Sequence, residues 1–126
     1  MRQYRTLYEV GLDMCEMANL SKRNTDLPVN IWIQEETTTN HNLPRIKFQN
    51  NYGNNFDIRA WVPVSIEDEP KILVKNTKLN ISGKDLDKVF EWIKLNKQGL
   101  LDHWYHKIST FDFFQIMKRY KYSKYN

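Results

Sequence analysis

The spacing of apolar residues changes once along this chain, at Ser82, and that change settles most of what the chain can fold into. Before it the period is two: Val29, Ile31 and Ile33, then Ile46 and Phe48, then Ile58, Ala60, Val62, Val64 and Ile66, then Ile72, Val74, Leu79 and Ile81. Alternation of that kind puts every second side chain on one face of a strand. After it, Leu86, Val89, Phe90, Ile93, Leu100, Leu101 and Trp104 recur at helical spacing. The polar stretches EETTTNHN, NNYGNN and EDEP separate the strand-like runs. The pattern predicts an α+β fold: an antiparallel meander of about four strands over roughly 28–82, with C-terminal helices over roughly 84–106 and 110–119 packed on one face.

Local signals refine this. Ser82 with Asp85, and Ser109 with Asp112, have the spacing of a capping box. Gly99 is expected to bend or split the first helix, and Phe111, Phe114 and Met117 to form the apolar stripe of the last. Gly and Asn in NNYGNN suit a turn that needs positive φ. Residues 5–18 fit a helical stripe (Leu7, Val10, Met14, Met17) and also alternate (Tyr8, Val10, Leu12, Met14). A short N-terminal helix is the favoured reading, with the structure of 1–20 left open. NLSKRNTDLP, residues 19–28, reads as a polar connector.

The 126 residues suit a single domain, with no repeat or Gly/Ser linker to divide it. Four Trp, seven Tyr and six Phe make the chain too aromatic to stay disordered. No apolar run is long enough to span a bilayer, and Glu9, Asp13 and Glu16 stand where a signal peptide would need an apolar core. A cytoplasmic protein with no membrane partner is expected. Cys15 is alone, which excludes an internal disulfide and a cysteine-built zinc site.

The net charge of +4 is unevenly spread, −2 over residues 1–40 and +4 over residues 91–126. The basic end, which includes Lys118, Arg119, Lys121 and a tail over 120–126 expected to fray, fits either a solubilising role or contact with an acidic partner.

Catalytic chemistry finds little support. His103 and His106 are three apart in DHWYH, so one helical face would carry both, and His41 could join them as metal ligands; the HExxH spacing of a zinc helix is absent. No GxSxG, P-loop or GxGxxG occurs. A non-enzymatic protein without cofactor is expected, with a hydrolase built on the three histidines as the remote alternative. The polar side of the strands says more. Alternation puts Trp32, Arg45, Lys47, Arg59 and Trp61 on the face opposite the apolar residues. Cations among exposed aromatic rings suit phosphates and unstacked bases; the same set suits an acidic protein groove, or is simply the solvated side of an antiparallel sheet, or a side covered by residues 1–20.

Residues 27–106 resemble a family of small prokaryotic and phage proteins grouped as a domain of unknown function (number four-one-six-zero). Its members carry a strand motif H-x-P-x-H-x-H or H-x-x-P-H-x-H and a helix motif W-I-x-x-N-x-x-x-L-L-x-x-W. His41 and Pro44 match the start of the first motif, while Arg45 and Lys47 stand where the later histidines would be. Trp92, Ile93, Asn96, Leu100, Leu101 and Trp104 match the second. Leu20–Thr25 and Ser65–Ile72 are similar to the LSKRNT-like and SIEDEPKI-like segments of a phage and mobile-element subgroup. The resemblance implies an α+β fold and no established activity; some members lie in operons that look like toxin–antitoxin or regulatory pairs. Where those members have imidazoles this chain has fixed cations, which bind anions and do not shuttle protons. The expectation is a small non-catalytic binding protein of phage or mobile-element type that contacts nucleic acid through Trp32, Arg45, Lys47, Arg59 and Trp61, helped by Lys118, Arg119 and Lys121. The alternative is a protein–protein inhibitor, anti-defence or antitoxin-like, that covers a nucleic-acid-handling host protein.

Overall fold

The computed structural model describes residues 17–37 and 43–120. The fold is α+β. Strands β1 (Met17–Leu20), β2 (Ile31–Gln34), β3 (Arg45–Gln49) and β4 (Trp61–Ser65) form one antiparallel sheet whose order in space is their order in sequence. Register places Leu20 opposite Ile31, Ile31 opposite Phe48, and Phe48 opposite Val62. With Ile33, Ile46 and Val64 these side chains make the buried inner face. The other parity sends the row Asn19, Trp32, Lys47, Pro63 straight across the outer face.

One helical turn, α1 (Lys22–Thr25), joins β1 to β2, and α2 (Gly83–Leu95), α3 (Lys97–Trp104) and α4 (Thr110–Ile116) follow the sheet. Val89, Trp92, Ile93, Leu100 and Phe113 close over the inner face in a single core. Each such side chain, fully buried, contributes about 1.5–3 kcal/mol. The box expected at Ser109 forms in full, and the one at Ser82 by half, its N–H going to the Tyr52 hydroxyl. The Ser82 hydroxyl accepts from the Asp85 N–H at 3.1 Å, and Ser109 and Asp112 bond reciprocally at 3.0 and 3.1 Å. Among the described residues no helix is long and apolar enough to cross a membrane.

The structure departs from the sequence expectations at definite places. The fourth strand is β1, not residues 72–81. That segment touches the sheet through a single bridge, Val64 to Ile72, before Asn76 turns left-handed at φ 59°. Asn50 then captures its backbone, with Asn50 Nδ2 donating to the Lys78 carbonyl at 2.9 Å and the Asn80 N–H donating to Asn50 Oδ1 at 2.8 Å. The polar connector 19–28 contains buried Leu20, Thr25 and Leu27. The alternation from Ile58 is broken because Asp57 Oδ1 accepts from the Arg59 N–H and winds Ile58–Ala60 into a 3-10 turn. NNYGNN has no residue at positive φ; side-chain amides hold it instead. Met17 and Ala18 are in a strand, which corrects the end of the helix expected over 5–18, while its residues 5–16, together with His41 and Lys121, lie outside the described residues.

The long helix divides at Asn96, not at Gly99. Asn96 Nδ2 donates to the carbonyls of Trp92 and Lys118, and the Lys118 N–H donates to Asn96 Oδ1 at 2.7 Å. Gly99 serves a different purpose, close approach. A Cβ there would stand 3.2 Å from Ile116 Cδ1 and 3.4 Å from Phe113 Cε1, so α4 packs against bare backbone. The stripe expected on α4 is also rotated. Phe113 is buried, whereas Phe111 and Phe114 are 69 % and 45 % exposed.

Candidate nucleic-acid interface

The sheet's outer face does carry cations next to rings, as alternation required, but not as an open platform. Trp32 is only 2 % exposed. Phe56, arriving from the β3–β4 connection, meets it edge-on at 5.4 Å, and Trp61 does so from β4 at 5.8 Å. Trp32 is therefore the floor of an aromatic cluster and offers no free ring face to a ligand, which corrects its expected role. Lys47 is packed as well: its ammonium stands 4.1 Å over the Trp61 ring and donates to Met17 Sδ at 3.9 Å. A cation in that position is attracted by the ring quadrupole, by about 0.5–1 kcal/mol at an accessible site. The Lys47 charge thus stays at the surface with its stem fixed.

Arg45 lies two residues earlier on the same face of β3, its Nε donating to the Leu43 carbonyl at 3.0 Å. Partial burial pulls its pKa down, and a guanidinium remains charged all the same. Arg59 is on the 3-10 turn, not on a strand; its side chain is 89 % exposed and pairs with Asp57 at 3.2 Å, which holds the Asp57 carboxyl below its ordinary range. Lys118 and Arg119 belong elsewhere. They follow α4, and Arg119 grips Asp26 through two bonds of 2.9 and 2.8 Å and the Arg23 carbonyl through a third. The structure puts Trp32, Arg45, Lys47 and Trp61 on one face, sets Arg59 on the turn that leads into Trp61, and ties Arg119 to the α1 turn.

His103 and His106 are structural ties. Helix α3 ends at Trp104, so His103 and His106 do not share a helical face. His106 takes the left-handed position after the helix (φ 63°), with the Lys107 N–H donating to the Asp102 carbonyl and its own N–H to that of His103, a Schellman closure. A non-glycine residue there costs about 1–2 kcal/mol. Its ring compensates by reaching the Glu36 carbonyl through Nε2 and the Glu35 carboxylate through Nδ1 at 3.3 Å. His103 is buried, with Nε2 2.8 Å from Thr110 Oγ1. Among the described residues no group of three or more His, Cys, Asp or Glu is placed to hold a metal. The turn carboxylates Glu67 and Asp68 pair with Lys71 and Lys97.

Burial lowers the His103 pKa from 6.5; the nearby Glu35 charge and Gln34 carbonyl pull it up without closing a bond on Nδ1. Below pH 6.5 the unfolded chain binds a proton that the folded chain refuses. Stability from this site is therefore full above the unfolded value and falls as pH drops toward the depressed folded one. Urea midpoints at neutral pH and at about pH 5 will show a decline in the wild type that His103→Gln reduces. Equal declines would mean that buried His103 does not drive the acid response.

Sequence reasoning missed the residues that build the rest of this surface: Gln49, Tyr52, Asn54, Asn55 and Phe56. Gln49 sits directly opposite Trp61 on the outer parity. It is fully buried, and its Nε2 donates to Asn51 Oδ1, Gly53 O and Asn55 O at 2.7, 3.3 and 3.1 Å, while Oε1 accepts from the Asp57 N–H at 2.9 Å. The Tyr52 hydroxyl accepts from the Ser82 N–H at 2.8 Å and donates to Asp85 Oδ2 at 2.7 Å, which locks the loop to the start of α2 and holds the Asp85 carboxyl below its usual range. The density of amides between Gln49 and Asn55, next to a Trp-bearing sheet face, was the available signal.

No family model, curated protein or solved structure matches the chain.

Proposed function

We propose that the protein is a small non-catalytic binding protein that holds nucleic acid against the outer face of its sheet. The observation that carries this is the Lys47 ammonium fixed over Trp61, with Arg45 on the same strand face and exposed Arg59 on the adjoining turn. Lys47 over a half-buried indole, with Arg45 farther along the strand and Arg59 on the turn before it, supplies charge for phosphates and a ring for a base. Trp32 acts from below, by holding Trp61 and Phe56 in place.

Anisotropy titrations of fluorescein-labelled single- and double-stranded oligonucleotides test this. Affinity will fall steeply with salt. Replacing Arg45 and Lys47 together by alanine removes two phosphate contacts, so the slope of log K against log salt on a single strand becomes shallower by about 1.4. The absence of binding at low salt would sink the proposal.

A second reading has its own observation. Phe111, Phe114 and Ile116, exposed by 69, 45 and 55 %, put large apolar side chains on one seven-residue helix. Apolar surface concentrated in this way marks protein contacts. It favours an inhibitor that covers a nucleic-acid-handling protein. A stoichiometric partner that survives nuclease treatment and is lost in the Phe111→Ser, Phe114→Ser variant would favour it over the first.

A further inference from the structure

We propose that the 51–55 loop is a base-reading element: Asn54 and Asn55 offer their side-chain amides to the edges of bases, adenine above all, in a single strand held on the outer sheet face. This rests on the nucleic-acid reading of that face and adds the group that would give it sequence preference.

The backbone of this loop is held to an unusual degree. Four consecutive carbonyls each accept a side-chain donor: Tyr52 O from Lys22 Nζ at 2.8 Å, Gly53 O from Gln49 Nε2, Asn54 O from Asn30 Nδ2 at 3.1 Å, and Asn55 O from Gln49 Nε2. Asn30 and Gln49 are both fully buried. A connection between antiparallel neighbours needs as few as two residues; here residues 50–60 intervene. Two buried amides and a tyrosine clamp are spent on orienting a longer loop than the hairpin requires.

The loop belongs to the ligand face. Gln49 is paired with Trp61, and Phe56, the residue after Asn55, lies against Trp32. Asn54 and Asn55 are exposed, and among the described residues their side chains make no hydrogen bond. Each amide therefore presents a free donor and acceptor from a fixed backbone. That pair matches the N6 donor and N7 acceptor of adenine, and unpaired bases expose such edges. Preorganisation keeps the ordering cost of binding low.

The test is Asn54→Ala combined with Asn55→Ala, titrated with labelled DNA homopolymers of adenine, cytosine and thymine. The substitutions leave all four carbonyl contacts in place, and an unchanged urea midpoint will verify this. The wild type is expected to prefer the adenine strand by about tenfold, one bidentate contact's discrimination, and the variant to bind all three alike at the weaker level. The Arg45→Ala, Lys47→Ala variant should weaken all three equally. A wild type without base preference, or a variant that keeps it, overturns the base-reading role while leaving the binding face intact. Failure of every homopolymer to bind at low salt removes both.

Discussion

Replacing Gln49 by leucine is expected to lower stability by about 3 kcal/mol and to release residues 51–57 from their fixed conformation. The buried amide serves Asn51, Gly53, Asn55 and Asp57 at once. Leucine has similar bulk, so the change leaves little cavity and removes mainly hydrogen bonds. A buried polar group left unmet costs roughly 1–3 kcal/mol. Gly53 and Asn55 lie at the surface, where water replaces part of what is lost, so the four do not add in full. Glutamate should be worse than leucine, because an ionised carboxylate cannot donate to the three acceptors. Urea unfolding gives the stability; amide hydrogen exchange over 51–57 gives the local effect. A Gln49→Leu protein with wild-type exchange in the loop would show that the loop holds itself.

The second large effect is expected at Phe113. Phe113→Ala should cost about 3–5 kcal/mol, while Phe111→Ala should stay within about 0.5 kcal/mol. Phe113 is fully buried, with ring centroids 6.5 Å from Trp92 and 6.0 Å from His103, and it lies against the bare backbone at Gly99. Phe111 is two residues back, about 200° around the helix, and points to solvent. Thermal and urea denaturation of the two variants side by side decide the matter. The reverse order of costs would mean that α4 sits on its Phe111–Phe114 face.

That helix shows why periodicity located elements better than it oriented them. Phe111, Phe113 and Phe114 are all aromatic, so two different faces satisfy an apolar stripe, and the glycine at 99, not the pattern within α4, selects Phe113. Strands β2, β3 and β4 and the caps at Ser82 and Ser109 were legible because alternation and cap chemistry are local. Strand β1 was not, since MANL carries only one strong apolar residue and becomes a strand by pairing with β2. Within the 72–81 run Ile72 and Val74 share one parity and Leu79 and Ile81 the other, and Asn50, thirty residues away from Asn80 in the chain, holds the backbone in place of a strand. At the candidate site, parity put Trp32, Arg45, Lys47 and Trp61 on one face. It could not reveal that Phe56 would fold over Trp32, because that contact depends on the path of the amide-held loop.

Asn96 has a consequence for how the molecule opens. Its side chain bonds Lys118 as a neighbouring strand would, donating to the carbonyl and accepting from the N–H. The chain from 96 to 118 is thereby a closed loop, with α3 and α4 inside it and one amide as its clasp. The clasp ties the end of α4 back to the start of α3, and Arg119 on Asp26 and His106 on Glu35 anchor the same segment to the rest of the molecule. Residues 97–117 are therefore expected to open as one cooperative unit, bounded on one side by a residue that also ends one helix and begins the next.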